Sequence, residues 1–382
     1  MKLFFLGSSV PNSGLNEKVN SRSLTSSTAA GQREEYLLSV FKKCSFDAIF
    51  FLTTAFGKAK GSFSTEETVS DSVRYVSLGY IGGNKYIRYI SSVLYALTWI
   101  MRNIKSGDVV VVYNFPIVFA VPLILRKFFI KYKLIIDFED FFNSKDIRYY
   151  IVHPFERLGI YFSDGFIASS PFMAKYIKSR KKASDIHVNG GYDSNPITDI
   201  HRKSIKSHIQ LLYSGSLTDT RGVLDLLSAF SANLDQRYRL VLTGSGPLEA
   251  EVKKARDLDS RIEFLGNLSE TAYFDVINNS DICINSQWES IMINFPSKVT
   301  MYLSFGKCVL STRHDALTQS KYSEMISFYD QTQSGFWENI NDMTESCSFS
   351  EQDEYKRIEK YRLFTNKQRV ELVDFMNKYS ID

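Results

Sequence analysis

The chain has 382 residues, 44% hydrophobic and 23% charged, enough for two domains with cores of their own. Its four cysteines, Cys44, Cys283, Cys308 and Cys347, lie far apart with no C-x-x-C pair and no matching histidine spacing. That argues against a zinc site or a disulfide scaffold and fits a reduced, cytoplasmic setting. Formal net charge is +4, but residues 1–200 carry +8 (25 basic, 17 acidic) and the remainder −4, so the positive charge belongs to the first half.

MKLFFLGSSV at the start reads as a strand, because its apolar run is too short for a signal peptide and no small-residue cleavage site follows. The runs KLFFLG, FDAIFFLTT, DVVVVYN, KLIIDF, DGFIAS and DIHVNG then alternate with helix-like stretches at Ala29 to Phe41, Lys85 to Ile104, Pro122 to Phe129 and Ile151 to Tyr161. This is a βαβ rhythm. Ser62 to Asp71 is polar and reads as a mobile loop. The longest apolar stretches, Tyr89 to Met101 and Phe115 to Leu125, fall short of the roughly 20 residues that span a bilayer.

Arg126 to Lys133 (RKFFIKYK) and Lys175 to Lys182 (KYIKSRKK) mix cations with aromatic or aliphatic residues. The pattern suits a solvated helix face or an anionic membrane surface equally well. Nucleic acid is not expected, since no binding motif accompanies these patches. KLIIDFEDFF puts Asp137, Glu139 and Asp140 at the end of a strand, where a carboxylate could act as general base toward an acceptor hydroxyl. Capping the next helix or pairing with Arg148 is the competing reading. The five histidines show no metal spacing and no metal is expected; His153 is the one worth testing.

After Val188, NGGYDSNPITDIHRKSIKSH reads as a linker with the boundary near Thr198. The expected organisation is a first domain over 1–198, a second over 199–350, and a charged, helix-prone 351–382 that crosses back to the first. Within the second, an apolar run, a glycine or polar turn and a helix-like stretch recur three times between Leu211 and Leu310. In an open parallel sheet such turns share one edge, so Gly215, Arg221, Gly244, Gly246, Glu289, Ser297 and Lys298 are expected to converge on one ligand, a nucleotide diphosphate. The turn from Gly215 to Gly222 leads into VLDLLSAF, whose first N–H groups can hold phosphate. Gly244-x-Gly246-Pro247 departs from the dinucleotide fingerprint because Glu249 takes the third glycine's place, and no acidic residue ends the strand IEFLGN, which disfavours nicotinamide. Pro296 favours a helix's first turn, leaving Ser297 and Lys298 aimed at an anion. Glu289 can accept from sugar or ribose hydroxyls, or cap a helix.

Gly215-Ser216-Leu217 with Arg221-Gly222, Gly244-Ser245-Gly246-Pro247, Phe264-Leu265-Gly266, Ser286-Gln287-Trp288-Glu289 and Gly306-Lys307-Cys308-Val309 appear in that order. The set resembles the nucleotide-binding half of family 4-like glycosyltransferases, over about Gln210 to Thr312. The chain also has Pro296-Ser297-Lys298, as in one branch of that family, and Met301 where the second of the family's paired glutamates is expected. More loosely, Ser13-Gly14-Leu15-Asn16 looks like the family's glycine loop and Val188-Asn189-Gly190-Gly191-Tyr192-Asp193 like its N-G-V-D run.

The resemblance implies an α/β GT-B fold, two Rossmann-like domains with parallel sheets facing a central cleft. It implies a metal-independent, retaining transfer of sugar from a nucleotide diphosphate sugar, UDP-type favoured, to a carbohydrate or lipid-linked glycan. Gly14, Gly215, Ser216, Arg221, Gly244, Gly246, Leu265, Glu289, Pro296, Ser297 and Lys298 would hold the donor. For an inverting reaction Asp137, Glu139 or Asp140 would be the base. Joined to the charge pattern, it implies bacterial surface polysaccharide assembly at the inner face of the cytoplasmic membrane. The rivals are a non-catalytic GT-B partner, motivated by Met301 and Ser216, and a Rossmann-type oxidoreductase.

Overall fold

A computed structural model describes residues 1–7, 28–54, 61–139, 147–190, 208–288, 295–330 and 332–380. The chain divides into two compact units, Met1–Tyr192 with Lys367–Asp382, and Asp193–Asn366.

The first unit is built on β1 (Lys2–Leu6), β2 (Ala48–Thr54), β3 (Glu66–Ser70), β4 (Val73–Leu78), β5 (Val109–Tyr113), β6 (Lys133–Phe138), β7 (Gly165–Ala168) and β8 (Asp185–Val188), in the order β3-β4-β2-β1-β5-β6-β7-β8. All neighbours run parallel except β3 with β4. Side chains alternate across each strand, so Leu3 and Phe5 enter one core while Phe4 and Leu6 enter the other. Both faces are covered, which is why the strands read as unbroken apolar runs.

Helix α1 (Thr28–Phe41) covers one face. Helices α2 (Lys85–Asn103), α3 (Ile117–Lys127), α4 (Ile147–Phe162) and α5 (Pro171–Arg180) cover the other, through Ala96, Trp99, Ile100, Phe119, Leu123, Ile160 and Met173. Asn84 caps α2 by accepting from the N–H groups of Tyr86 and Ile87 at 3.0 Å, and Ser170 caps α5, whose first residue is Pro171. Helix α3 starts at Ile117 and contains Pro122 in its interior, whereas the sequence placed Pro122 at its start. The expected loop from Ser62 to Asp71 holds β3, paired antiparallel with β4 at the sheet edge. Its residues alternate between half-buried and exposed, so no apolar face marked it as a strand.

The second unit carries β9 (Ile209–Ser214), β10 (Tyr238–Thr243), β11 (Ile262–Phe264), β12 (Ile282–Asn285), β13 (Cys308–Thr312) and β14 (Ile326–Tyr329), ordered β11-β10-β9-β12-β13-β14 and parallel throughout. Strand order reverses between β9 and β12. In an open α/β sheet the crevice outside the carboxyl ends of the strands at such a switch point is where ligands bind. The helices are α6 (Val223–Ala232), α7 (Glu249–Leu258), α8 (Glu270–Asn278), α9 (Ser297–Ser304), α10 (Asp315–Thr318) and α11 (Gln333–Ser346).

A last helix, α12 (Glu351–Asn377), begins in the second unit, where Ile358 and Tyr361 are buried and Glu354 pairs with buried Lys307 at 2.9 Å. Its far end, with Leu372, Phe375, Met376 and the following Tyr379, is part of the first unit's core.

Candidate functional site

The turns leaving β9 and β10 lock into one another and into the turn after β11. Gly215 N–H donates to Thr243 O at 3.0 Å, Leu217 N–H to Ser245 O at 2.9 Å, and Gly244 N–H to Gly266 O at 2.8 Å. Gly244 has φ +128°, and a Cβ there would lie 1.9 Å from Gly215 O. Only glycine satisfies both the conformation and the approach. Gly246 packs against Leu217 in the same way, and the N–H of Leu265 donates to Leu242 O at 2.9 Å. Gly215 and Ser216 remain exposed at the sheet edge.

Into this edge projects Lys298, from the first turn of α9, with Pro296 at the helix's N-cap and Ser297 as its first residue. Its Nζ donates to Ser214 O at 3.3 Å and sits 4.3 Å from the centre of the Tyr213 ring. Both partners are neutral. Burial, with Arg221 adding to it, holds the ammonium well below the usual lysine range. The residues behind it are tied by hydroxyls: Ser214 Oγ lies 2.7 Å from Tyr302 Oη and 2.8 Å from Tyr273 Oη, and Tyr213 Oη donates to Ser216 O at 2.9 Å.

Arg221 ends a single 3₁₀ turn, Asp219–Arg221, followed by Gly222 at φ +65°. A Cβ on Gly222 would lie 1.9 Å from Ser286 O, so the turn seats directly on the end of β12. The Arg221 guanidinium donates to Gln287 Oε1, and Ser286 Oγ donates to Arg221 O at 2.8 Å. Gln287 is itself buried, and its backbone oxygen accepts from Thr312 Oγ1 at 2.5 Å. Beside these residues His314 is buried and its imidazole is pushed down to about 4, chiefly by desolvation, opposed by Asp315 and assisted by Lys298 and Arg221. It is therefore neutral at pH 7. The edge brings Lys298, Arg221 and the N–H groups of a helix start together, a combination whose chemistry suits an anion.

Of the sequence-derived residues, Gly215, Ser216, Arg221, Gly244, Gly246, Leu265, Pro296, Ser297 and Lys298 all belong to this edge or its adjoining turns. Gly14, Asp140 and Glu289 lie outside the described residues. Met301 is buried among Leu212, Val299, Tyr302 and Phe305 and supplies no polar group. Tyr302 and Tyr273 are not among the sequence-derived residues, Gln287 entered only as part of the Ser286 to Glu289 motif, and His314 only as one of the five histidines without metal spacing. Tyr302 carried a usable signal, since it lies four residues after Lys298 and so on the same helix face.

In the first unit, Asp137 ends up in a different role from a solvent-facing base. Arg33 Nη2 donates to its Oδ1 at 2.7 Å and Arg33 Nε to its Oδ2 at 3.3 Å, with both side chains fully buried. Glu139 Oε1 is 3.1 Å from the same Nε, and Asn189 O accepts from Arg33 Nη1 at 3.4 Å. Burial pushes the Asp137 carboxyl up, against the pull of Arg33. His153 sits half-buried, its Nδ1 3.4 Å from both Glu156 and Tyr176 Oη. Among the described residues no group of His, Cys, Asp and Glu is placed to hold a metal ion.

Residues 197–320 match the sequence profile of the family described as glycosyl transferases group 1. No curated protein matches the chain in sequence. Solved structures match almost its full length. A sucrose-phosphate synthase from Thermosynechococcus elongatus aligns with TM-score 0.73 at 11% identity, covering 99% of this chain and 98% of that one. An E. coli trehalose-6-phosphate structure bound with UDP-2-fluoro glucose aligns with TM-score 0.69 at 9% identity, covering 98% and 99%. A lipopolysaccharide outer core galactosyltransferase in apo form aligns with TM-score 0.62 at 15% identity, covering 98% and 99%. The fold is α/β of the GT-B type, and the match to the glycosyl transferases group 1 model falls mostly in its second unit.

Proposed function

We propose that the protein transfers a sugar from a nucleotide diphosphate sugar, of UDP type, to a carbohydrate or lipid-linked glycan acceptor, without a metal. The observation that carries this reading is Lys298, a cation with neutral partners at a helix start, beside Arg221 and the interlocked Gly215 and Gly244 turns. The UDP-sugar analogue in the E. coli neighbour supports the choice of donor class.

The glycosidic carbon–oxygen bond to the diphosphate breaks and the acceptor oxygen bonds to the same carbon. Lys298, Arg221 and the helix N–H groups offset the charge that develops on the leaving phosphate, which is where differential stabilisation accelerates the step. In the retaining course, the acceptor's proton passes to an oxygen of that leaving phosphate. The pairing of Asp137 with Arg33 supports this course over one needing Asp137 as base. Assembly of bacterial surface polysaccharide at the inner face of the cytoplasmic membrane is the biological setting proposed.

A second reading, a GT-B partner that binds nucleotide or glycan without turnover, is favoured by the burial of Met301 in apolar surroundings. Thermal unfolding in millimolar UDP, GDP, dTDP, ADP and CMP tests both, since a ligand bound only by the native state raises the midpoint. A shift with a nucleoside diphosphate that Lys298→Met abolishes is expected. No shift with any of the five would end the first reading and the nucleotide form of the second, and binding without donor consumption across a panel of glycan acceptors would favour the second.

A further inference from the structure

Helix α2 reverses the usual polarity of a surface helix over its first half. Ser91 and Ser92 are buried, their hydroxyls donating to Arg88 O at 3.0 and 2.8 Å. Meanwhile Tyr86, Ile87, Ile90 and Leu94 are 67%, 48%, 61% and 54% exposed. Residues 86, 90 and 94 recur at i, i+4, so they form one stripe along the helix, and Ile87 widens it. Scattered exposed apolar residues are ordinary, but a continuous stripe on a helix that buries serines is not.

The remaining helices on that side of the sheet add to it. Phe128 and Phe129, after α3, are 69% and 70% exposed, and Tyr161 of α4 is 74% exposed. The Phe128 and Tyr161 rings each pack edge-on against Phe162, at 5.8 and 5.2 Å between centroids. Charge on the four helices themselves is almost all of one sign. The sequences of α2, α3, α4 and α5 contain ten Lys and Arg and a single acidic residue, Glu156, which is buried. Of the described acidic residues that meet them, Asp164 is paired with Lys127 at 2.6 Å, Asp108 is buried and accepts from Lys105 N–H at 2.8 Å, and Glu67 of β3 accepts from Trp99 Nε1 at 3.4 Å. No described helix is long and apolar enough to cross a membrane.

We propose that this four-helix face docks in the plane of a bilayer rich in anionic phospholipid, with the α2 stripe and the Phe128, Phe129 and Tyr161 side chains entering the headgroup boundary. The proposal deepens the membrane setting proposed above by assigning the docking surface, and it does not depend on the sugar chemistry. A basic amphipathic layer with exposed aromatic and aliphatic groups has the two components that interfacial binding needs, apolar insertion and attraction to negative headgroups. A protein partner would more often present alternating charge, whereas a lipid surface of uniform negative sign matches helices whose sequences carry ten cations and one buried acid.

Flotation with phosphatidylcholine vesicles, with and without phosphatidylglycerol, tests the assignment on the full chain. Wild type should float with the phosphatidylglycerol vesicles and bind more weakly in 0.5 M salt. Ile90→Ser with Leu94→Ser should cut partitioning at least tenfold, and Lys178→Gln with Lys182→Gln should lower it and flatten the salt dependence. Leu234→Ser with Leu258→Ser, equally exposed positions of the second unit at 78% and 79%, should float as wild type does. Nucleotide-induced thermal shifts measured on each variant separate loss of docking from loss of fold or of donor binding. Wild type that fails to float, or an α2 double variant that floats normally, overturns the proposal. So does a wild-type dimer in solution that the α2 substitutions split, since the stripe would then be a self-association face.

Discussion

Two cations, buried Arg33 in the first unit and half-buried Lys298 in the second, sit near the carboxyl edge of a parallel sheet and are treated in opposite ways. Arg33 is neutralised within the protein by Asp137 and Glu139. Lys298 has a carbonyl and an aromatic ring as partners, and Arg221 nearby makes its charged form still less favourable. The first arrangement is closed: its charges cancel and its hydrogen bonds hold α1 to the end of β6. The second is unfinished, and an anion arriving there relieves a cost the folded chain already carries. Charge compensation, more than position on the fold, distinguishes a brace from a binding seat.

The largest expected effect breaks the brace. Asp137→Ala leaves Arg33 buried beside a single partly exposed carboxylate and should cost about 3–5 kcal/mol in denaturant unfolding of the first unit, with nucleotide binding to the folded fraction unchanged. Replacing both partners, Arg33→Met with Asp137→Leu, should recover most of that loss; if the double variant is no better than the single, the pair does more than cancel charge.

Lys298→Met should behave in reverse. Folding stability stays level or rises, because a half-buried cation with neutral partners is removed, while affinity for a nucleoside diphosphate falls by roughly ten- to a hundredfold, the loss of a charge-assisted hydrogen bond of about 1.5–3 kcal/mol. Isothermal titration against UDP measures it. Equal affinity in the variant would place the anion elsewhere.

Gly244→Ala should lower stability by about 1–3 kcal/mol through backbone strain, with a further contribution from the approach to Gly215 O, and should weaken nucleotide binding by splaying the two turns. Loss of stability with binding intact would show that the interlocked turns serve the fold alone.

The smallest effect is on pH dependence. Because the folded-state pKa of Lys298 is lowered, the unfolded chain binds a proton that the folded chain does not, in the window between that pKa and the unfolded value of about 10.4. Stability without ligand should therefore rise with pH across that window, while diphosphate affinity falls, and Lys298→Met should remove both trends.

Strands buried on both faces, such as VVVVY of β5 and LLYS within β9, were plain in the sequence because nothing else explains such runs. The polar edge strand β3 and the four-residue β14 were not, since their pairing comes from neighbours and not from their own pattern. The same holds for sites. Gly215, Gly244 and Lys298 lie within short texts whose local geometry explains them. Arg33 and Asp137 are 104 positions apart, and no local pattern announces their pairing.

Helix α12 has a consequence for how the chain is made. The first unit's sheet is complete by residue 188, yet its core still lacks Leu372, Phe375, Met376 and Tyr379. Those side chains leave the ribosome after the entire second unit has been synthesised. The nascent first unit must wait without the Phe375 ring, 5.6 Å from that of His187, and without the Tyr379 hydroxyl that donates to Asp185 Oδ2 at 3.1 Å, so its core closes only after the second unit has been made. Chain termination shortly before residue 372 would remove the last piece of the domain that began first.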